Sequence, residues 1–437
     1  MAALTSTFDP AVAGALAGPE WLRARRQAAA GRLGDMELPT SDEEVWRYSL
    51  IDELDLEAYV LPPPGGDTPS VPEPALAAAR SAGDRAATVV VVDGRVAQVE
   101  LAERWADRGV RVGLVADQAD GDQLLGSVLA ADGAATPDLL GVANDAFSVE
   151  PVVIDVPAGV TVDEPFVVVD WMATSGVLTF PHLVVRLGTD AEATVVEHHA
   201  GDDVAALAVP ATELAVQAAA RLSYLNVQRR GPRAWQIATQ SSRVERDATL
   251  VAAQAALGGA YARTRADCRL VGRGATGNLM AVYHGDGDQT LDFRTFQDHA
   301  APDTTSNLLF KGAVAGHSRS VYTGMIRVRP EGRGTNAFQT NRTIKLGEHA
   351  WAESVPNLEI ENNDVHCSHA SAVGPIDEEQ RFYLESRGVP SDVADRLIVE
   401  GFFLEVLTQL PATGAASGVW SAIVERLDRR DDHGSAS

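Results

Sequence analysis

The chain has 437 residues, 45% apolar and 22% charged, the make-up of an ordinary globular protein too long for one compact core. Its formal net charge of −25 repels phosphate backbones and anionic bilayers, which argues against nucleic acid and membrane as partners. Two cysteines, Cys268 and Cys367, cannot build a disulfide framework. With no basic-then-apolar leader and no apolar run near the ~18 residues of a membrane span, a cytosolic protein with reduced thiols is expected.

Residues 1–60 read as a helical region. Pro19 opens one helix through Trp21 and Leu22, and Thr40 offers an N-cap to a second, with Asp42, Glu43 and Glu44 in its first turn. Residues 61–150 read as a linker and a small α/β region. The Pro/Gly run Leu61–Pro69 is the linker. Ala87–Gly94 and Val110–Val115 are strand-like, and a short helix from Pro137 to Phe147 takes Thr136 as its cap.

From 151 to 375 the texture is short β-branched runs broken by Gly, Asn and Asp, with no long amphipathic helix. Asn278, Asn307, Asn336 and Asn363 recur at intervals of 29, 29 and 27, each beside apolar residues. This spacing fits one turn of a β-solenoid per interval, in which each coil's apolar strip is covered only by the next coil. Stacked Asn side chains at the corners are expected to hydrogen-bond between coils. At 376–428 the pattern becomes helical. Asp377–Ser386 is one helix, and Ser391 caps a second whose Leu397, Ile398, Phe402, Val406 and Leu410 share one face. Residues 429–437 read as a disordered polar tail.

Several chemistries are missing from the sequence. It contains no phosphate-binding loop, no Cys-x-x-Cys and no His-Glu-x-x-His. Gly272–Gly277 spells G-x-G-x-x-G, but no helix follows, so it reads as a coil corner. His198 and His199 read as a solvated strand end, and His284, His299 and His317 as turn residues with polar neighbours. Cys367 and His369 are different. They stand two apart in a strand-like stretch and so project from one face, where a thiol and an imidazole can be soft metal ligands, an activated nucleophile, or a small apolar filler beside a hydrogen-bonded histidine. An iron–sulfur cluster commonly takes four thiolate-type ligands. Two thiols cannot supply them, so a cluster here would need ligands from a second polypeptide.

The runs Phe338–Asn341, Pro356–Ile360, Val365–His369 and Val373–Gly374, continuing through Ile376–Val389, resemble the SufB/SufD family of SUF iron–sulfur assembly proteins. The similarity is specific over about Leu291 to Phe403, and Trp46-Arg47-Tyr48 extends it weakly. Cys367-Ser368-His369, and Asn341 where SufB-type chains carry a cysteine, resemble the SufD branch; Ala370-Ser371-Ala372 departs from its Gly-Ala-Thr. The resemblance implies a mainly β protein, a right-handed parallel β-helix core flanked by N- and C-terminal helical regions. It implies a non-catalytic scaffold subunit, with ATP hydrolysis in a SufC-type partner docked on the C-terminal helices (Phe382, Leu397, Ile398, Phe402 and Val406). It further implies a heterodimer with a SufB-type paralogue through the β-helix. His369 and Cys367 would be candidate metal and cluster-site residues for a transient iron–sulfur cluster that this chain alone does not hold permanently. A homodimer in isolation is left open. The competing readings are a β-helix carbohydrate-active enzyme and a metal-free structural scaffold.

Overall fold

In a computed structural model, which describes residues 8–63, 65–128 and 137–434, the central element is a parallel β-solenoid of about eight turns. Two sheets wrap one interior. One sheet has ten strands and ends on Thr276–Gly285, Thr305–Val314, Asn336–Lys345 and His366–Gly374. The other ends on Tyr261–Leu270, Thr290–His299, Arg319–Val328 and Trp351–Ile360. Successive coils are in register: Thr276 pairs with Thr305, Thr305 with Asn336, and Asn336 with His366. Alternation along each strand sends every second side chain into a continuous core that includes Leu222, Leu250, Leu279, Phe293, Leu308 and Tyr322.

The expected Asn ladder is half present. Asn278 and Asn307 are paired in register and their side chains bond at 3.3 Å. Asn336 lies two positions earlier in its strand, opposite Thr305, so Phe338 takes the ladder position, and Asn363 lies in the turn before the last strand. The Gly272–Gly277 run is a corner, as its sequence suggests. A Cβ on Gly272 would stand 1.9 Å from the backbone nitrogen of Arg246 in the coil below.

The two ends of the solenoid differ. At the first, Arg95–Leu101 pairs antiparallel with Ala87–Val92, and Arg111–Leu114 pairs antiparallel with Val152–Val156, extending both sheets. The helix Glu73–Arg80, which the sequence reading missed, packs Ala75 and Ala79 over the outer face there. At the other end, Trp351–Ile360 and His366–Gly374 each have a strand neighbour on one side only.

Both outer faces carry additional chain. The C-terminal helices lie on the ten-stranded sheet, with Val399, Phe403, Val406, Leu407 and Ile423 packed against Val196, Leu225, Val282 and Ala313. The buried face of the helix Ser391–Leu407 overlaps the expected one at Val406, with Leu410 just beyond also buried, but is centred on Val399, Phe403 and Leu407, so that Ile398 and Phe402 are only partly buried. Pro390, not Ser391, is its N-cap residue. A third helix, Thr413–Gly434, was not anticipated, and residues 429–434, expected in a disordered tail, belong to it. The helix before the solenoid spans Leu139–Phe147 and is capped by Asp138, whose side chain accepts from Gly141; Thr136 lies outside the described residues.

On the opposite face the segment around Trp46 is strapped down, and this explains why the expected helix from Thr40 is only a 3-10 turn at Glu44–Trp46. The carbonyls of Val45 and Arg47 accept from Arg263 (2.8 Å) and Arg294 (2.6 Å), so they are unavailable to a helix. The Arg263 guanidinium stacks 3.8 Å from the centroid of the Trp46 ring. Both arginines converge on Asp292, fully buried, which Tyr261 also donates to at 2.9 Å. Tyr48 takes a left-handed φ of 65°, costly for a bulky side chain, with its ring 6.1 Å from Trp351.

Removing the carboxylate leaves two guanidinium groups without their anion in a dry site. Asp292→Ala is expected to cost about 3–5 kcal/mol, read by denaturant unfolding of the full chain. A loss below about 1 kcal/mol would mean that the strap does not depend on this centre.

Candidate functional site

The last coil is where the chemistry-bearing side chains gather. Strand pairing places Cys367 over Ala337, His369 over Gln339, Ser371 over Asn341 and Val373 over Thr343. Ala337, Gln339, Asn341 and Thr343 are all buried and point into the solenoid, so the four residues above them occupy the interior-facing rows of an end with no further coil. Cys367 is half-buried against Ala337, Ile326 and Val328. His369 is exposed. The pair does share a face, and the face is the solenoid's open mouth.

Beneath this mouth the interior is polar. Gln339 donates to the Tyr322 hydroxyl at 2.7 Å, and Tyr322 bonds Thr295 at 2.9 Å. Asn341 donates to Ser354 at 2.8 Å, and Ser371 donates to the same hydroxyl at 2.6 Å. Tyr283 and Thr343 share a bond of 2.7 Å. Burial pushes the Cys367 thiol above its ordinary range, a bond from the Ala337 backbone offsetting part of this, so the thiol is not activated in the chain by itself. Cys268 is fully buried and is pushed up to about 12 by burial; it is core. Among the described residues no three His, Cys, Asp or Glu side chains gather as a metal-ligand set.

The other histidines differ from their sequence reading. His198 and His199 are buried, not solvated: the strand Glu192–Gly201 lies inside the sheet, with His198 on the outer face beside Val169 and near the helix Glu73–Arg80 and His199 on the interior face with Glu197. His199 stands 3.1 Å from Glu197, and His198 is lowered to about 4, chiefly by burial. His284 is buried at a strand end, and His299 is buried between Thr304 and Ser306 with its pKa lowered to about 4 by burial. Of the three, only His317 is an exposed turn residue, and its ring stacks on that of His349 at 4.8 Å.

A groove of about 1120 Å³ separates the C-terminal helices from the last strands and is lined by Arg342, Val373, Tyr383, Leu384, Leu397 and Phe402 among others. Phe382 and Leu397 are exposed at 71% and 46%, whereas Ile398 and Phe402 are half-buried. Lys311 reaches the Phe402 carbonyl at 3.0 Å and lies 4.5 Å from the centroid of its ring. Val406 is a correction: it is fully buried in the chain's own core and offers nothing to a partner.

The sequence assigns Gln339 no role, and marks Asn341 only as the position where SufB-type chains carry a cysteine. Their signal is register, which brings them under His369 and Ser371 and becomes visible only once coils are stacked.

The parallel solenoid with an uncapped, His- and Cys-bearing last coil defines a class of protein, and the comparisons give it a family. Residues 171–402, more than half the chain, match the model for the SufBD core domain of the SUF system for FeS cluster assembly. An iron–sulfur cluster assembly SufBD family protein of Mycobacterium tuberculosis is 36% identical over 280 residues, 62% of this chain and 68% of that one. SufD of Escherichia coli is 31% identical over 242 residues, 55% of this chain and 57% of its own. SufD of Bacillus subtilis is 32% identical over 158 residues, 36% of each. The chain belongs to the SufB/SufD family of iron–sulfur cluster assembly proteins.

Since the thiolate is the nucleophile, a thiol held above its ordinary range alkylates slowly at neutral pH and faster as pH rises. In the isolated native chain, Cys367 is expected to react with iodoacetamide ahead of Cys268, its rate still climbing through pH 9. Peptide mass spectrometry across pH reads both, and a plateau below pH 8.5 would contradict the burial argument.

Proposed function

We propose that the chain is a SufD-type, non-catalytic scaffold subunit of a SUF assembly complex in the cytoplasm. It supplies half of a shared site at which an iron–sulfur cluster, the cargo, is built. The observation that carries this reading is the position of His369 and Cys367 in the inward rows of an uncapped last coil, beside two sheet edges able to accept another strand. A SufB-type paralogue stacked on those edges would bring its own ligands over the mouth and complete a set that this chain holds only in part. His369 is the exposed, accessible ligand, and Cys367 supports it from a half-buried position.

The same reading assigns the C-terminal helices to a SufC-type ATPase. Phe382 and Leu397 provide exposed apolar surface beside the groove, the kind of surface a soluble chain retains for a partner. Nucleotide hydrolysis in that partner would move the helices and, through Lys311 and the groove wall, the last coil.

Anaerobic co-expression with SufB- and SufC-type partners tests the site. The purified ternary complex is expected to carry iron and sulfide, and His369→Ala to lose most of both without dissociating. Equal loading in the variant would remove His369 from the site. For docking, Phe382→Asp combined with Leu397→Asp is expected to abolish capture of the ATPase in a pull-down with the fold intact by circular dichroism. Val406→Asp should instead unfold the helical region, because it buries a charge in the core. Undiminished capture by the double variant would move the docking surface elsewhere.

A further inference from the structure

Gln339 is buried to 2% exposure in the row directly beneath His369. Its amide is anchored at one end, where Nε2 donates to the Tyr322 hydroxyl at 2.7 Å, and Tyr322 is itself bonded to Thr295 at 2.9 Å. The space for this amide is made by Gly324 on the opposite sheet, where a Cβ would stand 2.1 Å from Gln339 Nε2 and 2.3 Å from the Tyr322 oxygen. With the nitrogen end fixed, the other end has no freedom to seek a bond elsewhere. Gln339 Oε1 is buried and has no hydrogen-bond partner.

A buried carbonyl oxygen left without a donor costs about 1–3 kcal/mol, a cost that a fold seldom leaves uncompensated. Paired residues on adjacent strands stand about 4.8 Å apart, which puts the imidazole of His369 within reach of that oxygen by side-chain rotation alone. A ligating histidine characteristically donates its second ring N–H to a carbonyl or carboxylate, which fixes the tautomer and the ring plane.

We propose that Gln339 is the positioning residue for His369: its Oε1 accepts the ring N–H, and the unprotonated ring nitrogen is thereby aimed out of the mouth at the iron–sulfur cargo. The proposal rests on His369 facing the cargo, as argued above, but the contact itself requires no partner. Asn341 has a second orphaned oxygen, yet it lies under Ser371, one row away from the imidazole.

The tautomer of His369 can be read directly in the full-length chain, labelled with ¹⁵N-histidine, by long-range ¹H–¹⁵N correlation at a fixed pH of about 8.5, where imidazole is neutral. His369→Ala identifies the signal. Wild type is expected to show one tautomer, Gln339→Leu a mixture of both, and Gln339→Glu, which keeps an acceptor, the wild-type pattern. Circular dichroism of each variant confirms the fold, and Tyr322→Phe, which frees the amide without removing it, is expected to give an intermediate mixture. An unchanged single tautomer in Gln339→Leu overturns the proposal. In the ternary complex, Gln339→Leu is then expected to lower iron and sulfide loading about 10- to 100-fold, as loss of such an outer partner does, with Gln339→Glu restoring it. If the tautomers behave as expected while loading is indifferent both to Gln339→Leu and to His369→Ala, the Gln339 contact stands and the shared-site reading fails.

Discussion

A coil of a solenoid cannot cover itself. Each turn presents an inward row of side chains and a line of backbone donors and acceptors, and both are satisfied only by the turn that follows. Through most of this chain the requirement is met in register, so that Ala193, Leu222, Leu250, Gly277, Ser306 and Ala337 form one column and Cys367 ends it. The column that His369 ends runs through Val195, Tyr224, Ala252, Leu279, Leu308 and Gln339. The final members of these columns are the only ones with nothing above them, and they are the thiol and the imidazole. Position in the stack, rather than any change in local backbone, is what separates the half-buried thiol and the exposed imidazole from the core rows below them.

The outer faces follow from the same geometry. Outward rows also need cover that the solenoid does not supply; on the ten-stranded sheet they are apolar, including Val196, Leu225, Val282 and Ala313, and on the other they carry the charges of Arg263, Asp292 and Arg294. The C-terminal helices cover one face through Phe403 and Val406, and the strap around Trp46 covers the other through Arg263 and Arg294. These attachments are of different kinds. The helices are held by apolar packing together with Lys311, which donates to the Phe402 carbonyl, and Arg426, which donates to the carbonyls of Leu257 and His284, whereas the strap is held by a buried carboxylate between two guanidinium groups.

Much of this was legible in the sequence. Period-two alternation and a repeat near thirty residues announced the solenoid, and the spacing of Cys367 and His369 established that they share a face. Other features depended on neighbours remote in the chain. The Asn ladder stops at two because the loop after Val328 shifts the next strand by two positions, which no local pattern records. His198 and His199 look like a polar strand end until the coils are stacked, which turns His199 inward beside Glu197 and leaves His198 on the face that the unpredicted helix Glu73–Arg80 packs over. The periodicity of Ser391–Leu407 admits two apolar faces, one centred on Phe402 and one on Phe403, and only the shape of the sheet beneath selects the second. Gln339 was invisible as a site residue because its role exists only between coils.

The unequal ends of the solenoid also limit how large an assembly it can form. At the first end the edge strands are blunted: Arg95–Leu101 pairs through a bulge at Val90/Val91, and Arg111–Leu114 has only four residues. Among the described residues, only the last coil offers a straight parallel edge. Two chains that join through such edges must meet mouth to mouth, and the pair then presents no further edge of that kind. Stacking through that edge would therefore end at two subunits, which would keep a fold whose internal logic is indefinite repetition from becoming a fibre.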